Sequence, residues 1–189
     1  MTVHGLLLAA GAGSRMGTPK ALVTDPGGVP WLTRGVEVLL DGGCDAATVV
    51  LGAAVDEALA LLPAGPVATV VAGDWSDGMS ASLRAGLASV AEGSADTVVV
   101  TLVDLPDVGP DVVRRVVGTG AGPDALARAT YDRRPGHPVV IGRKHWAGVI
   151  ESLVGDSGAR GYLASHDVVL VECGDLATGR DVDAPPETP

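Results

Sequence analysis

Val3-His4-Gly5-Leu6-Leu7-Leu8-Ala9-Ala10-Gly11-Ala12-Gly13-Ser14-Arg15-Met16-Gly17-Thr18-Pro19-Lys20 begins as an aliphatic run and stops in a glycine-rich segment. An uninterrupted apolar run bounded by turn residues reads as a buried strand that delivers the chain into a loop. Outward from it, Leu32, Val36, Leu39 and Leu40 fall on one face of a helix over Trp31 to Leu40. Thr48 to Leu51 reads as a strand, Val55 to Leu62 as a short helix ended by Pro63, and Val67 to Ala72 as a strand. Met79, Leu83, Leu87 and Val90 share a helical stripe that Gly93 stops, and Thr97 to Val103 is the most strand-like segment of the chain. Four alternations of strand and helix predict a parallel sheet with right-handed crossovers.

After Pro106 the pattern loosens. Pro110 opens a helix carrying Val112, Val113, Val116 and Val117. Leu126 to Thr130 and Val139 to Ile141 read as short strands around an Arg133-Arg134-Pro135-Gly136-His137-Pro138 turn. A helix with Trp146, Val149, Ile150 and Leu153 follows, then a last strand at Val168 to Val171, and Pro185 to Pro189 is expected to fray. The expected fold is a single α/β domain over 1–189, three-layered α/β/α with a mostly parallel, Rossmann-like sheet. Within it a first part, over about 1–105, holds the regular alternation, and a second, over about 106–189, the looser pattern.

Composition agrees with that class. Hydrophobic residues make up 47% and aromatic residues 3%, with no Phe, so Val, Leu and Ala must build the core. A net charge of −10 argues against a nucleic-acid or anionic-membrane surface, both of which need clustered Lys and Arg. Cys44 and Cys173 lie far apart with no metal-ligand spacing, and read as buried, reduced thiols. With no secretory n-region and no apolar run of membrane-spanning length, a cytoplasmic location is expected.

The loop from Leu8 to Lys20 fails both common phosphate motifs on spacing. Met16 stands where a dinucleotide fingerprint needs its third Gly, and Gly17 is followed by Thr18-Pro19-Lys20 instead of Lys-Ser/Thr. The chemistry still suits anions, because successive glycines let backbone N–H groups approach phosphate oxygens. Arg15 and Lys20 add a forked and a compact cation to the same loop. Lys20 is one of only two lysines among 13 basic residues, which marks it as a chosen residue.

A hard cation such as Mg²⁺, the usual companion of a bound phosphate chain, is held by one or two carboxylates. Asp104, at the carboxyl end of the Thr97 to Val103 strand, is the first candidate, and Asp181-Val182-Asp183 offers a second. Ser80 and Ser82 can cap the helix that opens at Gly78. Gly155-Asp156-Ser157-Gly158 imitates a serine-protease segment, but an α/β pattern without a partner His segment excludes that chemistry.

The Leu8–Gly17 segment with Pro19-Lys20 resembles the signature of the MobA-like NTP transferase superfamily. The resemblance implies that residues Leu8, Ala9, Ala10, Gly11, Ala12, Gly13 and Ser14 wrap a nucleoside triphosphate while Arg15 and Lys20 act on its phosphates. Val103-Asp104-Leu105-Pro106 looks like the family's metal site, and Asp181-Val182-Asp183-Ala184-Pro185 is similar to its C-terminal acidic segment, with Asp183 as second ligand. Gly78, Ser80 and Ser82 resemble the base-contacting stretch. Gly136-His137-Pro138 and Gly155-Asp156-Ser157-Gly158-Ala159-Arg160 are similar to segments of the molybdenum cofactor cytidylyltransferases, which puts His137 and Arg160 at the acceptor. Ala10, where guanylyltransferases usually carry Gly, points to CTP over GTP.

The resemblance thus implies transfer of CMP to a phosphorylated small molecule such as molybdopterin, with Mg²⁺ as cofactor. It also implies contact with a molybdoenzyme or its chaperone, and a monomer or weak dimer. Sugar- or isoprenoid-phosphate nucleotidyl transfer, NAD(P)H-dependent oxidoreduction and simple nucleotide binding on the same scaffold are the alternatives.

Overall fold

The computed structural model describes residues 1–184; the fraying expected at 185–189 and the last residue of the Asp181–Pro185 motif lie outside the described residues. Seven strands form one sheet, with spatial order β3-β2-β1-β4-β6-β5-β7. They are β1 Val3–Leu8, β2 Ala46–Leu51, β3 Val67–Val71, β4 Thr97–Leu102, β5 Leu126–Tyr131, β6 Arg134–Gly142 and β7 Val169–Glu172. Neighbours pair in parallel except at β6, which runs antiparallel to both β4 and β5. The helices are α1 Trp31–Asp41, α2 Val55–Leu59, α3 Met79–Ala91, α4 Pro110–Gly118, α5 Trp146–Ser152 and α6 Arg160–Ala164. The three-layer α/β/α architecture expected from the alternation is the one observed. Among the described residues, no helix is long and apolar enough to cross a membrane.

The aliphatic runs are apolar on both faces because helices cover both. Leu7, Val49 and Val99 point into one cluster with Val36 and Leu39 of α1 and Val113 of α4. Their chain neighbours Leu6, Val50 and Val98 point into a second cluster with Leu83 and Leu87 of α3 and Val149 of α5. Side chains alternate along a strand, so a half-buried strand would need polar residues at every second position. Each fully buried Leu contributes about 1.5–3 kcal/mol relative to an exposed one. α3 approaches β1 closely at Gly86, where an added Cβ would lie 2.7 Å from Leu6 Cδ1.

Two stretches differ from the sequence reading. The helix after β2 ends at Leu59, not Leu62; Leu61 and Leu62 leave it to pack against the first cluster. Of the Arg133–Pro138 segment only Arg133 lies in a turn; Arg134 to Pro138 form the first half of β6. The reversal is made by Asp132 and Arg133 alone, both with positive φ (51° and 65°). Their N–H groups donate to the Glu172 carboxylate at 3.0 and 3.2 Å, which holds two non-glycine residues in a left-handed turn. Pro135 is tolerated because β6 pairs with β4 only from Val139 onward, so no ladder donor is missing on that side. Both cysteines are buried and free, as the sequence reading expects.

Candidate active site

The chain lays β1, β2 and β3 toward one edge and then returns to place β4 on the other side of β1. Loops leaving the carboxyl ends of strands diverge at such a reversal and leave a crevice. Two segments fill this one, the glycine-rich loop after β1 and the turn after β4 that begins with Val103-Asp104. Gly13 is required in the first: its φ is +60°, and a Cβ there would lie 2.0 Å from the Thr18 carbonyl oxygen. Gly17 closes the loop by donating its N–H to Gly13 O at 2.9 Å.

The crevice holds a cavity of about 390 Å³, within the size range of small-ligand sites. Leu8 and the loop from Ala10 to Arg15 line it, as do Lys20, Gly78, Ser82, Asp104 and Asp183. Ala9 faces the core instead and donates its N–H to Val50 O at 2.9 Å. Ser80 is also outside the lining; its hydroxyl is buried and has no partner among the described residues. No serine side chain caps α3. The first donors of that helix are engaged by the loop before α6, Met79 N–H on Asp156 Oδ1 at 3.1 Å and Ser80 N–H on Gly155 O at 3.1 Å.

Lys20 opens a 3-10 turn (Lys20–Leu22) under the loop, directed there by Pro19. Its ammonium donates to Asp104 Oδ2 and to Asp183 Oδ1, each at 2.6 Å. Asp183 Oδ2 also accepts from Arg15 at 3.3 Å, although Arg15 stays largely in solvent. Burial works against the charged form of Lys20, but the hydrogen bonds to Asp104 and Asp183 and their charges outweigh it, so its pKa is raised. The same hydrogen bond from Lys20, then its charge, holds Asp183 below the usual carboxylate range.

Asp183 comes from a strap that follows β7 and crosses back over the site. Val182 N–H donates to Asp104 O at 3.0 Å, and Thr178 donates its N–H and its hydroxyl to Asp107 Oδ2, both at 2.6 Å. The strap brings one oxygen each of Asp104, Asp181 and Asp183 within 4.8 Å of one another. Asp104 Oδ1 is buried and has no hydrogen-bond partner among the described residues, which is costly unless something positive meets it. An all-carboxylate set with a free buried oxygen fits a hard divalent cation such as Mg²⁺ or Mn²⁺.

His137 and Arg160 do not reach this cavity. They line a neighbouring cleft of about 110 Å³ that shares Leu8, Met79 and Asp156 with it. α6 begins at Arg160 and is a single turn, so Arg160 offers its own charge with little help from a helix dipole. Burial, then the charge of Arg128, pushes the His137 pKa down to about 4, so its ring is neutral at pH 7.

Sequence reasoning passed over Trp75, Asp156, Arg128 and Asp107. Trp75 lies on a 3-10 turn (Trp75–Asp77), lines the cavity and rests on the bare backbone of Gly52. Its rarity in an aromatic-poor chain was an available signal, as was its position ahead of the Gly78-Met79-Ser80 stretch. Asp107 and Arg128 acquire meaning only through partners distant in sequence, and carry no local signal; Asp156 lay inside the Gly155–Arg160 segment, whose family likeness was its signal.

A MobA-like NTP transferase domain matches residues 5–169. The chain belongs to that family. The MobA-like chain is therefore an enzyme of nucleotidyltransferase type. It is 37% identical over 191 residues to the nicotine blue oxidoreductase of Paenarthrobacter nicotinovorans, covering 96% of this chain and 92% of that one. Among solved structures it resembles Rv0371c from Mycobacterium tuberculosis H37Rv, with a TM-score of 0.80 and 29% identity over 97% of this chain and 94% of that one. A manganese complex of Rv0371c, also from Mycobacterium tuberculosis H37Rv, matches with a TM-score of 0.77 and 27% identity over 96% and 94%. That metal belongs to the class the three carboxylates suit.

Proposed function

We propose that this MobA-like enzyme transfers a nucleoside monophosphate, CMP from CTP, to the phosphate of a small acceptor of molybdopterin type, releasing pyrophosphate. The observation that carries the reading is Lys20 held between Asp104 and Asp183 at the foot of the glycine-rich loop. In this reading the backbone of Gly11 to Ser14 receives the triphosphate, and Arg15 and Lys20 stabilise the charge that builds on it. Trp75 and Ser82 flank the base, and Ala10, where guanylyltransferases usually carry Gly, favours cytosine. When bound, Mg²⁺ on Asp104, Asp181 and Asp183 supplies charge neutralisation to the triphosphate oxygens. An oxygen of the acceptor phosphate attacks the α-phosphorus in line; the new P–O bond forms as the bond to the bridging oxygen breaks, and pyrophosphate leaves with that electron pair. A dianionic acceptor has no proton to lose, so no general base is required.

A second reading draws on the 37% identity to a protein named as an oxidoreductase. There the same cavity holds a nicotinamide dinucleotide, and the loop takes its pyrophosphate. Thermal-shift measurements with CTP, GTP, ATP, UTP and NADPH, each with Mg²⁺, separate the two. Stabilisation by CTP above the rest, with Mg²⁺-dependent pyrophosphate release, supports transfer. Stabilisation by NADPH alone overturns it in favour of hydride chemistry, and GTP above CTP overturns the base assignment.

A further inference from the structure

The cavity is lined by two unlike sets of groups. Arg15 and Lys20 bring cations to it beneath the glycine-rich loop. Where α3 begins, Trp75, Gly78, Ser82 and Asp156 line it, and the charged side chain among these four is a carboxylate. The start of a long helix is partly positive and ordinarily draws phosphate. α3 has 13 residues, but its first donors are already engaged. Met79 N–H donates to Asp156 Oδ1 at 3.1 Å, Ser80 N–H to Gly155 O at 3.1 Å and Ala81 N–H to Gly78 O at 3.2 Å. Gly78 is bare of necessity, since its φ is +109° and a Cβ there would lie 2.1 Å from Asp156 Oδ1. The carboxylate is thus seated on the helix start and repels a phosphate chain from it. A triphosphate is steered to the loop, and the uncharged end of a nucleotide, its base, falls to α3.

Asp156 holds one oxygen fixed on Met79 N–H, while Oδ2 has no hydrogen-bond partner among the described residues. Arg128 and Arg160 line the neighbouring cleft that Asp156 also borders, yet among the described residues neither pairs with it. A carboxylate so placed is an acceptor of fixed polarity. The Ser82 hydroxyl can donate or accept, and the Trp75 ring can stack on any base, so neither tells an amino substituent from a keto oxygen. Asp156 can.

We propose that Asp156 reads the base, accepting a hydrogen bond from its exocyclic amino group and rejecting a base that presents a keto oxygen in that place. Cytosine N4 is such a donor to a carboxylate, whereas uracil O4 sets one acceptor against another. The inference rests on the transfer reading for the presence of a pyrimidine nucleotide, and goes beyond it by assigning the choice of cytosine over uracil to one side chain.

The test is calorimetric titration of the full chain with CTP and with UTP, each with Mg²⁺. The parent should bind CTP at least tenfold more tightly than UTP, about the effect of one charged hydrogen bond. Asp156→Asn keeps an amide oxygen for Met79 N–H and turns its NH₂ toward the base. CTP should then weaken and UTP tighten, so that the preference falls at least tenfold while the melting temperature stays with the parent. Asp156→Ala, which loses the contact to α3 as well, should weaken CTP without tightening UTP. A CTP-to-UTP ratio in Asp156→Asn equal to that of the parent overturns the proposal alone, including the case in which both nucleotides weaken together, which puts Asp156 at the ribose or leaves it a helix cap. Binding of neither triphosphate to the parent overturns it together with the transfer reading.

Discussion

Replacing Lys20 by Met removes an ammonium and keeps most of its hydrocarbon stem, so the loss is electrostatic and not a cavity. The Lys20 and Asp104 side chains are 16% and 14% exposed, whereas Asp183 is 47% exposed. Removing one member of a buried pair costs about 3–5 kcal/mol, because the remaining charge stays desolvated; an exposed pair contributes about 0–1 kcal/mol. Only the Asp104 half is buried, and the burial cost of Lys20 itself disappears, so a net loss of about 2–3 kcal/mol is expected. For a domain of this size that is roughly 5–10 °C in Tm. Differential scanning fluorimetry without divalent metal reads it directly. If the three carboxylates form a cation site, Mg²⁺ should raise the Tm of Lys20→Met more than that of the parent, since it replaces the missing charge. Pyrophosphate release from CTP should fall by about two orders of magnitude or more even at saturating Mg²⁺. A Tm within about 1 °C of the parent in the absence of metal would refute the buried-charge reasoning. Near-normal pyrophosphate release would refute the catalytic role.

Gly86→Ala gains about 1 kcal/mol of helix propensity but drives a Cβ to 2.7 Å from Leu6 Cδ1, and overpacking costs about 1–3 kcal/mol. The variant should therefore be no more stable than the parent, and a higher urea midpoint would show that α3 can move away from β1. His137 is held neutral, with a folded pKa of about 4 against an unfolded value of 6.5. The unfolded chain binds the proton more readily, so this contribution is complete above pH 6.5 and is lost as pH falls toward 4. The linkage limit for such a shift is about 3 kcal/mol, less here because His137 keeps a partly exposed surface. Urea unfolding of the parent and His137→Gln at pH 7 and pH 4.5 should show the parent losing more stability, and parallel losses would contradict the burial argument. Asp107→Ala releases Thr178 and loosens the strap without touching the cavity; Mn²⁺ affinity, followed by electron paramagnetic resonance, should fall about tenfold with Tm little changed.

What was legible in the sequence was whatever local spacing encodes. Leu6 to Leu8 and Val98 to Val100 announce strands covered on both faces, and the glycine-rich loop with Lys20 announces an anion site, because a strand followed by glycines has few other uses. Asp104 and Asp183 could be picked out because each ends a recognisable segment. The start of β6 at Arg134 was not legible. It follows from a turn at Asp132-Arg133 whose left-handed backbone depends on Glu172, a residue in another strand. Ser80 and Ser82 looked equivalent in sequence, yet one helical offset puts Ser82 at the cavity and Ser80 behind it. Arg128 read as an ordinary strand residue, because nothing nearby in sequence reveals that Arg160 faces the same cleft.

The strap also bears on the order in which the molecule becomes competent. A chain synthesised from its amino end completes the loop, Lys20 and Asp104 long before Asp181 and Asp183 emerge, and all seven strands precede those two acids. The sheet can close and bury its core while Lys20 has one carboxylate partner and Asp104 has no companion with which to share a cation. Folding and arming are thus separable events, and a nascent chain that is already compact is still chemically silent.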